Sequence, residues 1–544
     1  MKKLLFIFIM LGYGVIAIAQ EKFTLADELR GSITPQRAWW DLQHYSIEVD
    51  VFAQTKSLSG TNTITYTVLS PNSTMQIDLQ KPMKMDLVTQ NGKKVAVQRN
   101  GSAHFLKLPE PQIVGSQNKL VIHFSGAPTV ALNAPWDGGL VWSKDSNGID
   151  FIASANQGIG ASVWWPVKDH PQDEPDKGVD LFITTPKNLV GVGNGRLIEE
   201  IKNKDTKTWH WQVVNPINSY GVNINVGDYV TFSETYNGLN GKLDLSYWVL
   251  RDNLEIAKEQ FKQAPLMLEA FEYWFGPYPF YEDSFKLVEA PYLGMEHQSS
   301  VTYGNKYKNG YLGRDLSGTG WGLEFDFIII HEAGHEWFAN NITNKDVADM
   351  WIHEGFTAYS ENLYLNYHFG EKAASEYVIG TKRSIQNDIP LIGTYNKNNR
   401  GSNDMYYKGA NILHTLRQLI ADDQKWRAIL RGLNKDFYHQ TVTSHQVERY
   451  ISEKSGIHLT QFWEQYLRTT MIPNLQYSIQ ENQLRYRYTD IIKDFDMPVQ
   501  VKINGVLNWI QPTSTWKTLE NNGKIKTLDV QQDFLINSSL IKKQ

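Results

Sequence analysis

The sequence predicts a multidomain α+β protein, with an all-β domain first, an α-rich domain next and a small β domain last. Three observations support this prediction. Residues 39–236 alternate in polarity or are rich in β-branched and aromatic side chains, and Asn-Gly turns separate the runs. Helical spacing begins near Leu254 and continues to about residue 468, after which short β-rich runs return. The predicted domains are residues 20–240, 241–472 and 473–544.

The composition is that of an ordinary globular protein. Hydrophobic residues make up 41% of the 544 positions and charged residues 20%. The formal net charge is −5, so no basic excess indicates a nucleic acid or an anionic membrane as partner. The absence of cysteine excludes disulfides, thiolate metal ligands and cysteine nucleophiles. Any transition metal must therefore be held by imidazole and carboxylate groups.

The first twenty residues have the pattern of a secretory signal peptide. Lys2 and Lys3 precede an apolar run over residues 4–18, and an A-x-A cleavage site ends at Ala19. We therefore expect cleavage after Ala19 and export to a periplasm or to the extracellular medium. The alternative is an uncleaved anchor helix, which the shortness of the apolar run disfavours. No later segment is long and apolar enough to cross a bilayer, so we expect a mature chain without a membrane span.

Six runs indicate strands in the first domain: residues 44–51, 62–68, 74–79, 119–124, 179–185 and 208–214. In the second domain, residues 255–275 predict a helix that Pro265 kinks or breaks. The other predicted helices are residues 321–341, 351–368, 370–386, 404–421, 423–433, 444–454 and 459–468.

The strongest chemical signal is the H-E-x-x-H motif at residues 331–335, which follows an apolar run. Residues four apart lie on the same face of a helix, so His331 and His335 can share one zinc ion. Glu332 lies on the flank of that face, where it can act as general base toward water at the metal. The alternative is a chance occurrence of a short motif, so the interpretation needs further ligands.

Glu354, at the start of the next predicted helix, is the candidate for a third ligand. A catalytic zinc site takes three protein ligands and keeps one position open. A helix–loop–helix turn can bring Glu354 back to the two histidines. Asp349, just upstream, is either an acceptor for a ligand imidazole or a helix-capping residue.

These segments together resemble the gluzincin family of aminopeptidase N and leukotriene hydrolase. Eighteen residues separate His335 from Glu354, as in the family pattern HExxH-x18-E. The resemblance implies that His331, His335 and Glu354 bind one zinc ion per chain, with Glu332 as the general base. It covers residues 30–470 approximately. It also implies a β-sandwich or saddle fold for the first domain and a thermolysin-like fold for the second.

The run from Leu293 to His297, LGMEH, resembles the G-x-M-E-N motif of the same family. The resemblance implies that Glu296 binds the free α-amino group of a substrate, since a carboxylate pairs with an ammonium. Gly294 and Met295 would line the same site. Leu293 replaces the glycine of the family and His297 its asparagine, so His297 is given no role. The alternative for Glu296 is a structural salt bridge.

Two further segments extend the resemblance. Residues 405–410, MYYKGA, resemble a Y-E-K-G-A element, which implies that Tyr406 rather than Tyr407 donates a hydrogen bond to the oxyanion. Residues 156–158 resemble a T-Q-x-Q/E segment, which implies that Gln157 also contacts the substrate amine. The alternatives are a pair of packing tyrosines and an ordinary polar loop residue.

The resemblance implies a zinc aminopeptidase that hydrolyses the N-terminal bond of peptides with a free amino terminus, and the signal-peptide pattern indicates that it is secreted. A thermolysin-like zinc endopeptidase is the first alternative, and Glu296 disfavours it because an amine anchor blocks a chain that continues past it. A lipid epoxide hydrolase, an activity that leukotriene hydrolase shows in this family, is the second. A non-catalytic module with structural zinc is the third, although such a site needs no base like Glu332. The sequence indicates neither the preferred first side chain nor the oligomeric state.

Overall fold

The computed structural model describes residues 22–541, and the predicted signal peptide lies outside the described residues. Two short helices, α1 (Leu25–Gly31) and α2 (Pro35–Ala38), precede a β-rich region. Its strands are β1 (Trp40–Phe52), β2 (Ser57–Val68), β3 (Thr74–Asp78), β4 (Lys84–Gln90), β5 (Lys93–Lys94), β6 (Ala96–Asn100), β7 (Ala103–Lys107), β8 (Gln117–Gly126), β9 (Gly139–Lys144), β10 (Asp150–Ala155), β11 (Val179–Pro186), β12 (Val190–Val192), β13 (Arg196–Lys202), β14 (Thr206–Val213) and β15 (Asn225–Gly227).

Most of these strands form one long sheet. Its order is β13-β14-β11-β1-β2-β8-β4-β5, with β1 antiparallel to β2 and parallel to β11. A second sheet has the order β12-β15-β10-β9, and a third has the order β3-β7-β6. Alternating polarity selects the buried face: in β1, Tyr45, Ile47 and Val49 are buried whereas Glu48 is exposed. The chain leaves β10 directly into the loop that carries Gln157.

A hairpin leads from the β-rich region into the next sheet. The strands of that sheet are β16 (Tyr229–Gly238), β17 (Gly241–Leu250), β18 (Phe285–Glu289), β19 (Gly294–Met295) and β20 (Val301–Tyr303). Their order is β16-β17-β18-β20-β19, so the two-residue strand β19 lies at the edge. Residue 240, where the first domain is predicted to end, falls at the turn between β16 and β17.

The second region is mainly helical. Its helices are α3 (Leu254–Gln260), α4 (Gln263–Phe275), α5 (Phe327–Gly334), α6 (Trp351–Phe369), α7 (Glu371–Thr381), α8 (Tyr407–Ile420), α9 (Asp423–Asp436), α10 (Ser444–Ser455) and α11 (Thr460–Arg468). The short strands β21 (Ile342–Asn344) and β22 (Gln440–Val442) pair in parallel.

The predicted helix over residues 255–275 is two helices in the structure. Helix α3 ends at Gln260 and α4 begins at Gln263, so the break precedes Pro265. Pro265 lies in the first turn of α4. Because amides in the first turn have no intrahelical acceptor, the missing N–H of proline removes no helix hydrogen bond there.

Helix α5 is shorter than the predicted helix over residues 321–341. It begins after Asp326, whose buried carboxylate accepts hydrogen bonds from the amides of Ile328 at 3.0 Å and Ile329 at 3.4 Å. After Gly334 the chain tightens, and the Glu336 amide donates to the carbonyl three residues back at 3.1 Å. The cap and the tight turn together confine α5 to the segment around the H-E-x-x-H motif.

The C-terminal region is β-rich, as the sequence predicts. Its strands are β23 (Asn474–Gln480), β24 (Gln483–Thr489), β25 (Val499–Ile503), β26 (Val506–Ile510), β27 (Lys517–Glu520), β28 (Leu528–Val530) and β29 (Asn537–Leu540). They form the sheets β27-β24-β23-β29 and β26-β25-β28. Phe534 and Leu535 are buried in the core of the helical region, and the Leu535 amide donates to Thr415 Oγ1 of α8 at 2.9 Å.

The prediction of a multidomain α+β protein with this order of regions is confirmed, whereas the domain boundaries stay predictions. Within residues 22–541, no helix combines the length and the apolar character that a bilayer crossing requires.

We expect acid to destabilise the fold partly through His170. Burial lowers the pKa of His170 to about 3, and the positive charges of Arg37 and Lys168 act in the same direction. The unfolded pKa is about 6.5. Neutral His170 therefore makes its full contribution to the free energy of unfolding above about pH 6.5. This contribution is lost as the pH falls toward about 3, and about 2 kcal/mol of it is lost at pH 5. Urea unfolding should show that His170→Asn, which keeps an acceptor, loses this part of the pH dependence. His458→Asn, at an exposed position, is the control, and an unchanged pH dependence in His170→Asn would refute the assignment.

Candidate active site

Helices α5 and α6 bring the three predicted metal ligands together. His331 and His335 lie on α5 and at its end, and Glu354 lies in the first turn of α6. Glu354 Oε2 is 3.7 Å from His331 Nε2 and 3.3 Å from His335 Nε2. All three side chains are buried, and their ligand atoms lie within 4.8 Å of one another. The sequence-predicted ligand set therefore converges on one point.

The second nitrogen of each imidazole is already engaged. His331 Nδ1 is 2.7 Å from Glu361 Oε1 on α6, and Tyr377 donates to the other oxygen of Glu361 at 2.5 Å. His335 Nδ1 is 3.0 Å from the Phe338 carbonyl oxygen. A proton on each Nδ1 would leave both Nε2 atoms, which face Glu354, available as metal ligands.

The residues present fit a zinc ion. Glu354 Oε2 is buried and makes no hydrogen bond within the described chain, although an isolated buried carboxylate oxygen is costly. Two imidazole nitrogens and one carboxylate oxygen are a donor set that zinc accepts in catalytic sites. A cation bound to these three atoms would satisfy the free oxygen of Glu354 and leave a position open to a substrate.

Glu361, which supports His331, was missed by the sequence reasoning. A signal was available, since Glu361 follows Glu354 by two helical turns and so lies on the same face of α6. Asp349 supports neither ligand imidazole, and instead its carboxylate caps the N-terminus of α10, which begins at Ser444. Its carboxylate accepts hydrogen bonds from Tyr395 at 2.6 Å and from the amide of Ser444 at 3.0 Å, away from both histidines.

Glu332 lies in the cavity beside the ligands, packed against the edge strand. A β-carbon added to Gly294 of β19 would lie 2.7 Å from Ile328 and 3.0 Å from Glu332 Oε1. Only glycine therefore lets β19 approach the helix this closely. Burial raises the pKa of Glu332 to about 7, and the negative charge of Glu296 adds to the increase. A bound cation would act in the opposite direction.

Glu296, Gln157 and Tyr220 form one hydrogen-bonded group next to the ligands. Gln157 Nε2 donates to Glu296 Oε1 at 2.6 Å and to Glu354 Oε1 at 2.9 Å. The Tyr220 hydroxyl donates to Glu296 Oε1 at 3.1 Å. The structure thus brings Gln157, from the first domain, to Glu296 as the sequence predicts. Tyr220 carried no recognisable signal in the sequence.

Tyr406 and Tyr407 face different parts of the site. The Tyr406 ring lies 6.0 Å from the His331 ring, and burial together with the charges of Glu354 and Glu296 raises the pKa of its phenol well above its usual value. Burial and the charge of Glu361 raise the pKa of Tyr407. Tyr406 is therefore influenced by the carboxylates of the ligand and the amine anchor, and Tyr407 by the carboxylate that contacts His331.

The catalytic groups share one cavity of about 430 Å³. Met295 lines it beside Glu296, whereas His297 is turned away and contacts Thr302 Oγ1 at 2.7 Å through Nδ1. The remaining walls are formed mainly by aromatic and polar side chains, namely Trp136, Tyr311, Phe327, Gln386, Arg400 and Asn403.

Sequence comparison finds two segments of a known peptidase family. The model described as peptidase family M1 domain matches residues 259–466, and the peptidase M1 N-terminal domain matches residues 42–220. Endoplasmic reticulum aminopeptidase 1 from Homo sapiens is 23% identical over 351 residues, covering 62% of this chain and 36% of that protein. Leukotriene A-4 hydrolase from Xenopus laevis is 23% identical over 330 residues, covering 56% of this chain and 51% of that protein. The chain spans about half of these relatives or less.

Solved structures with the same fold include an M1 zinc metallopeptidase variant from Deinococcus radiodurans bound to Tyr-Ser-Ala. It aligns with a TM-score of 0.67 and 20% identity over 81% of this chain and 98% of that chain. A two-domain M1 zinc metallopeptidase variant bound to L-arginine aligns with a TM-score of 0.63 and 20% identity over 77% and 92% of the two chains.

Glu361→Gln should weaken zinc binding, because it removes the negative charge that orients and polarises His331. We expect the dissociation constant to rise roughly 10- to 100-fold, measured by competition with a chromogenic chelator. Asp349→Asn is the matched control, since Asp349 contacts neither ligand, and it should leave zinc affinity unchanged. Equal affinities of wild type and Glu361→Gln would show that the contact does not tune the metal site.

Proposed function

The chain belongs to peptidase family M1, and from this premise we propose that it is a zinc-dependent aminopeptidase. It would hydrolyse the first peptide bond of peptides that have a free amino terminus. The observation that carries the proposal is the position of Glu296 and Gln157 next to the metal ligands. This pair supplies a carboxylate and an amide beside the ligands, where the α-ammonium of a substrate would lie.

His331, His335 and Glu354 would hold the zinc ion, one per chain. When bound there, zinc supplies a Lewis acid that polarises a carbonyl group and favours ionisation of water near neutral pH. Glu361 fixes the orientation of His331, and the Phe338 carbonyl fixes that of His335.

Glu332 would carry the proton. Its carboxylate takes a proton from the attacking water and delivers it to the nitrogen of the leaving amine. Burial raises the pKa of Glu332, which favours holding the proton between the two transfers, and a bound cation lowers it, which favours the carboxylate that first accepts the proton. Gly294 supports this role, since the absence of a side chain lets β19 lie against Glu332.

Tyr406 would stabilise the oxyanion. Its pKa is raised by burial and by two carboxylates, so the phenol stays protonated and can donate a hydrogen bond to developing negative charge. Met295 and Gly294 would line the path of the substrate backbone along the edge strand.

The amine anchor sets the register of cleavage. Glu296 Oε1 already accepts hydrogen bonds from Gln157 and Tyr220, which fixes the carboxylate and leaves Oε2 for the substrate. The first residue of a peptide is then held against the metal site, so the first peptide bond is the one within reach. This arrangement disfavours the endopeptidase alternative, because a buried carboxylate pairs with a free ammonium and not with the peptide amide of a continuing chain.

We also propose that the protein is exported, to a periplasm or to the medium. The support is in the sequence of residues 1–19, with Lys2 and Lys3 before an apolar run and a cleavage site at Ala19. Peptides outside the cytoplasm would then be its substrates, and no feature of the charge distribution indicates a nucleic acid.

Chromogenic aminoacyl amides test the proposed activity. Alanyl p-nitroanilide should be cleaved and its N-acetylated form should not, and a zinc chelator should abolish the cleavage. Glu296→Ala should lower kcat/KM for the free amine by roughly 30-fold or more, because it leaves a buried ammonium unpaired.

Glu255→Ala, which changes an exposed carboxylate on α3, is the control and should retain the wild-type rate. If the acetylated substrate were cleaved equally well, the protein would be an endopeptidase instead.

Tyr406→Phe should lower kcat by roughly 100-fold with little change in KM, because the lost hydrogen bond acts only in the transition state. Tyr407→Phe is the matched control and should change kcat by no more than about threefold. Steady-state kinetics on the same amide would measure both. A larger loss in Tyr407→Phe would assign the oxyanion contact to that residue.

A further inference from the structure

We infer that Arg400 is a specificity-determining residue that binds a carboxylate group of the substrate. This inference rests on the proposed aminopeptidase function and names a chemical feature of its substrates. Arg400 lines the catalytic cavity, and it is the one lysine or arginine side chain among the described residues that does so.

The charge of Arg400 stands out in its surroundings. Apart from the two histidines, the other ionisable groups of the cavity are tyrosines and four carboxylates, namely Glu296, Glu332, Glu354 and Asp404. The first three belong to the amine anchor, the base and the metal site. The Asp404 carboxylate accepts hydrogen bonds from the backbone amides of residues 386 and 387, at 2.8 and 2.5 Å. None of these four carboxylates is an ion-pair partner of Arg400 in the described structure.

Within residues 22–541, Arg400 differs from every other arginine. Each of the others has a hydrogen bond, an ion pair or an aromatic ring at its guanidinium group. The guanidinium of Arg400 has none of these contacts with the described residues, and the side chain is exposed in the mouth of the cleft. All five of its N–H donors are therefore free for a ligand.

The backbone under Arg400 is held firmly. Gly401 packs so closely that a β-carbon there would lie 1.7 Å from the Leu391 carbonyl oxygen. The Ser402 amide donates to the Pro390 carbonyl at 2.9 Å. A cation on a fixed loop loses little backbone freedom when it binds an anion, which favours a recognition role.

Helix α1 joins the Arg400 loop to the amine anchor. The Asn398 amide donates to the Asp27 carbonyl at 2.9 Å, and Arg30 donates to the Gly158 carbonyl at 2.7 Å, next to Gln157. Arg400 and Gln157 therefore lie on segments that α1 ties together, and both line the cavity that would receive the first residue of a peptide.

The chemistry that a free guanidinium recognises best is a carboxylate, through two parallel hydrogen bonds. A peptide offers this group in two places. One is the side chain of an aspartate or glutamate in the first position, which the location of Arg400 in the same cavity as Gln157 and Glu296 favours. The other is the C-terminal carboxylate of a short peptide. Both sources present the same chemistry to Arg400, and matched substrates distinguish them.

Two substrate pairs test the inference in wild type, Arg400→Gln, Arg400→Lys and Arg449→Gln. Glutamyl and glutaminyl p-nitroanilide differ only in the presence of a side-chain carboxylate. Ala-Ala-Ala and its C-terminal amide differ only in the presence of a C-terminal carboxylate. Alanyl p-nitroanilide carries neither carboxylate. Arg449→Gln removes the same charge at an exposed position on α10, away from the cleft.

We expect wild type to prefer the acidic member of one pair. Arg400→Gln should lower kcat/KM for that member by roughly 10- to 100-fold, while alanyl p-nitroanilide changes by no more than about twofold. Arg400→Lys should recover part of the preference, and Arg449→Gln should retain all of it. The pair that responds identifies the source of the carboxylate.

Two results would overturn the inference. One is an equal loss on alanyl p-nitroanilide, which would mean that Arg400 acts on the common chemistry near Tyr406. The other is no loss on either acidic substrate. If wild type cleaved none of the substrates, the proposed activity would be refuted. The role of Arg400 would then be tested separately, by calorimetric measurement of the binding of both substrate pairs to wild type and Arg400→Gln. A preference for the acidic member that disappears in Arg400→Gln would support it, and equal binding would refute it.

Discussion

Close packing of α6 against α5 and α8 fixes the positions of the catalytic groups. A β-carbon added to Gly334 of α5 would lie 2.5 Å from Ser360 Oγ of α6. Gly355 of α6 faces Gly409 of α8, where a β-carbon would lie 2.8 Å from the Gly355 α-carbon. Larger side chains would push the helices apart and move Glu354 away from both the histidines and Tyr406. Because protein interiors are close-packed, such a shift has no compensating rearrangement nearby.

This packing gathers more negative than positive charge in a buried place. Glu296, Glu332, Glu354 and Glu361 lie within or next to the site, with two histidines between them. Burial of like charges costs free energy, and a divalent cation offsets that cost. Metal binding and the stability of the helical domain are therefore coupled, since the ion binds the folded arrangement only. Two neutral donors stabilise the remaining negative charge: Tyr377 donates a hydrogen bond to Glu361, and Gln157 donates one to Glu296.

Chemistry and selectivity are contributed by different parts of the fold. The helices α5 and α6 carry the metal ligands and the base, which would act on any peptide bond. The amine anchor and the Arg400 loop lie where α1 and the first β-rich domain meet the helical domain. Loops held by a rigid scaffold can change their side chains without disturbing the ligands. The first residue of the substrate would therefore be selected at the junction between the domains.

The sequence by itself determined the order of the regions and the metal-binding group, because both depend on local periodicity. The spacing of four positions from His331 to His335 makes about one helical turn, and the same periodicity would have revealed Glu361, seven positions after Glu354. Helix ends were predicted less well, since the start of α5 depends on the cap formed by Asp326. The family resemblance implied that Gln157 and Glu296 share one substrate amine, but only the tertiary structure showed their direct contact, 139 positions apart, and the addition of Tyr220. Contacts between separate loops follow from how whole domains pack, and no spacing in the chain encodes that packing.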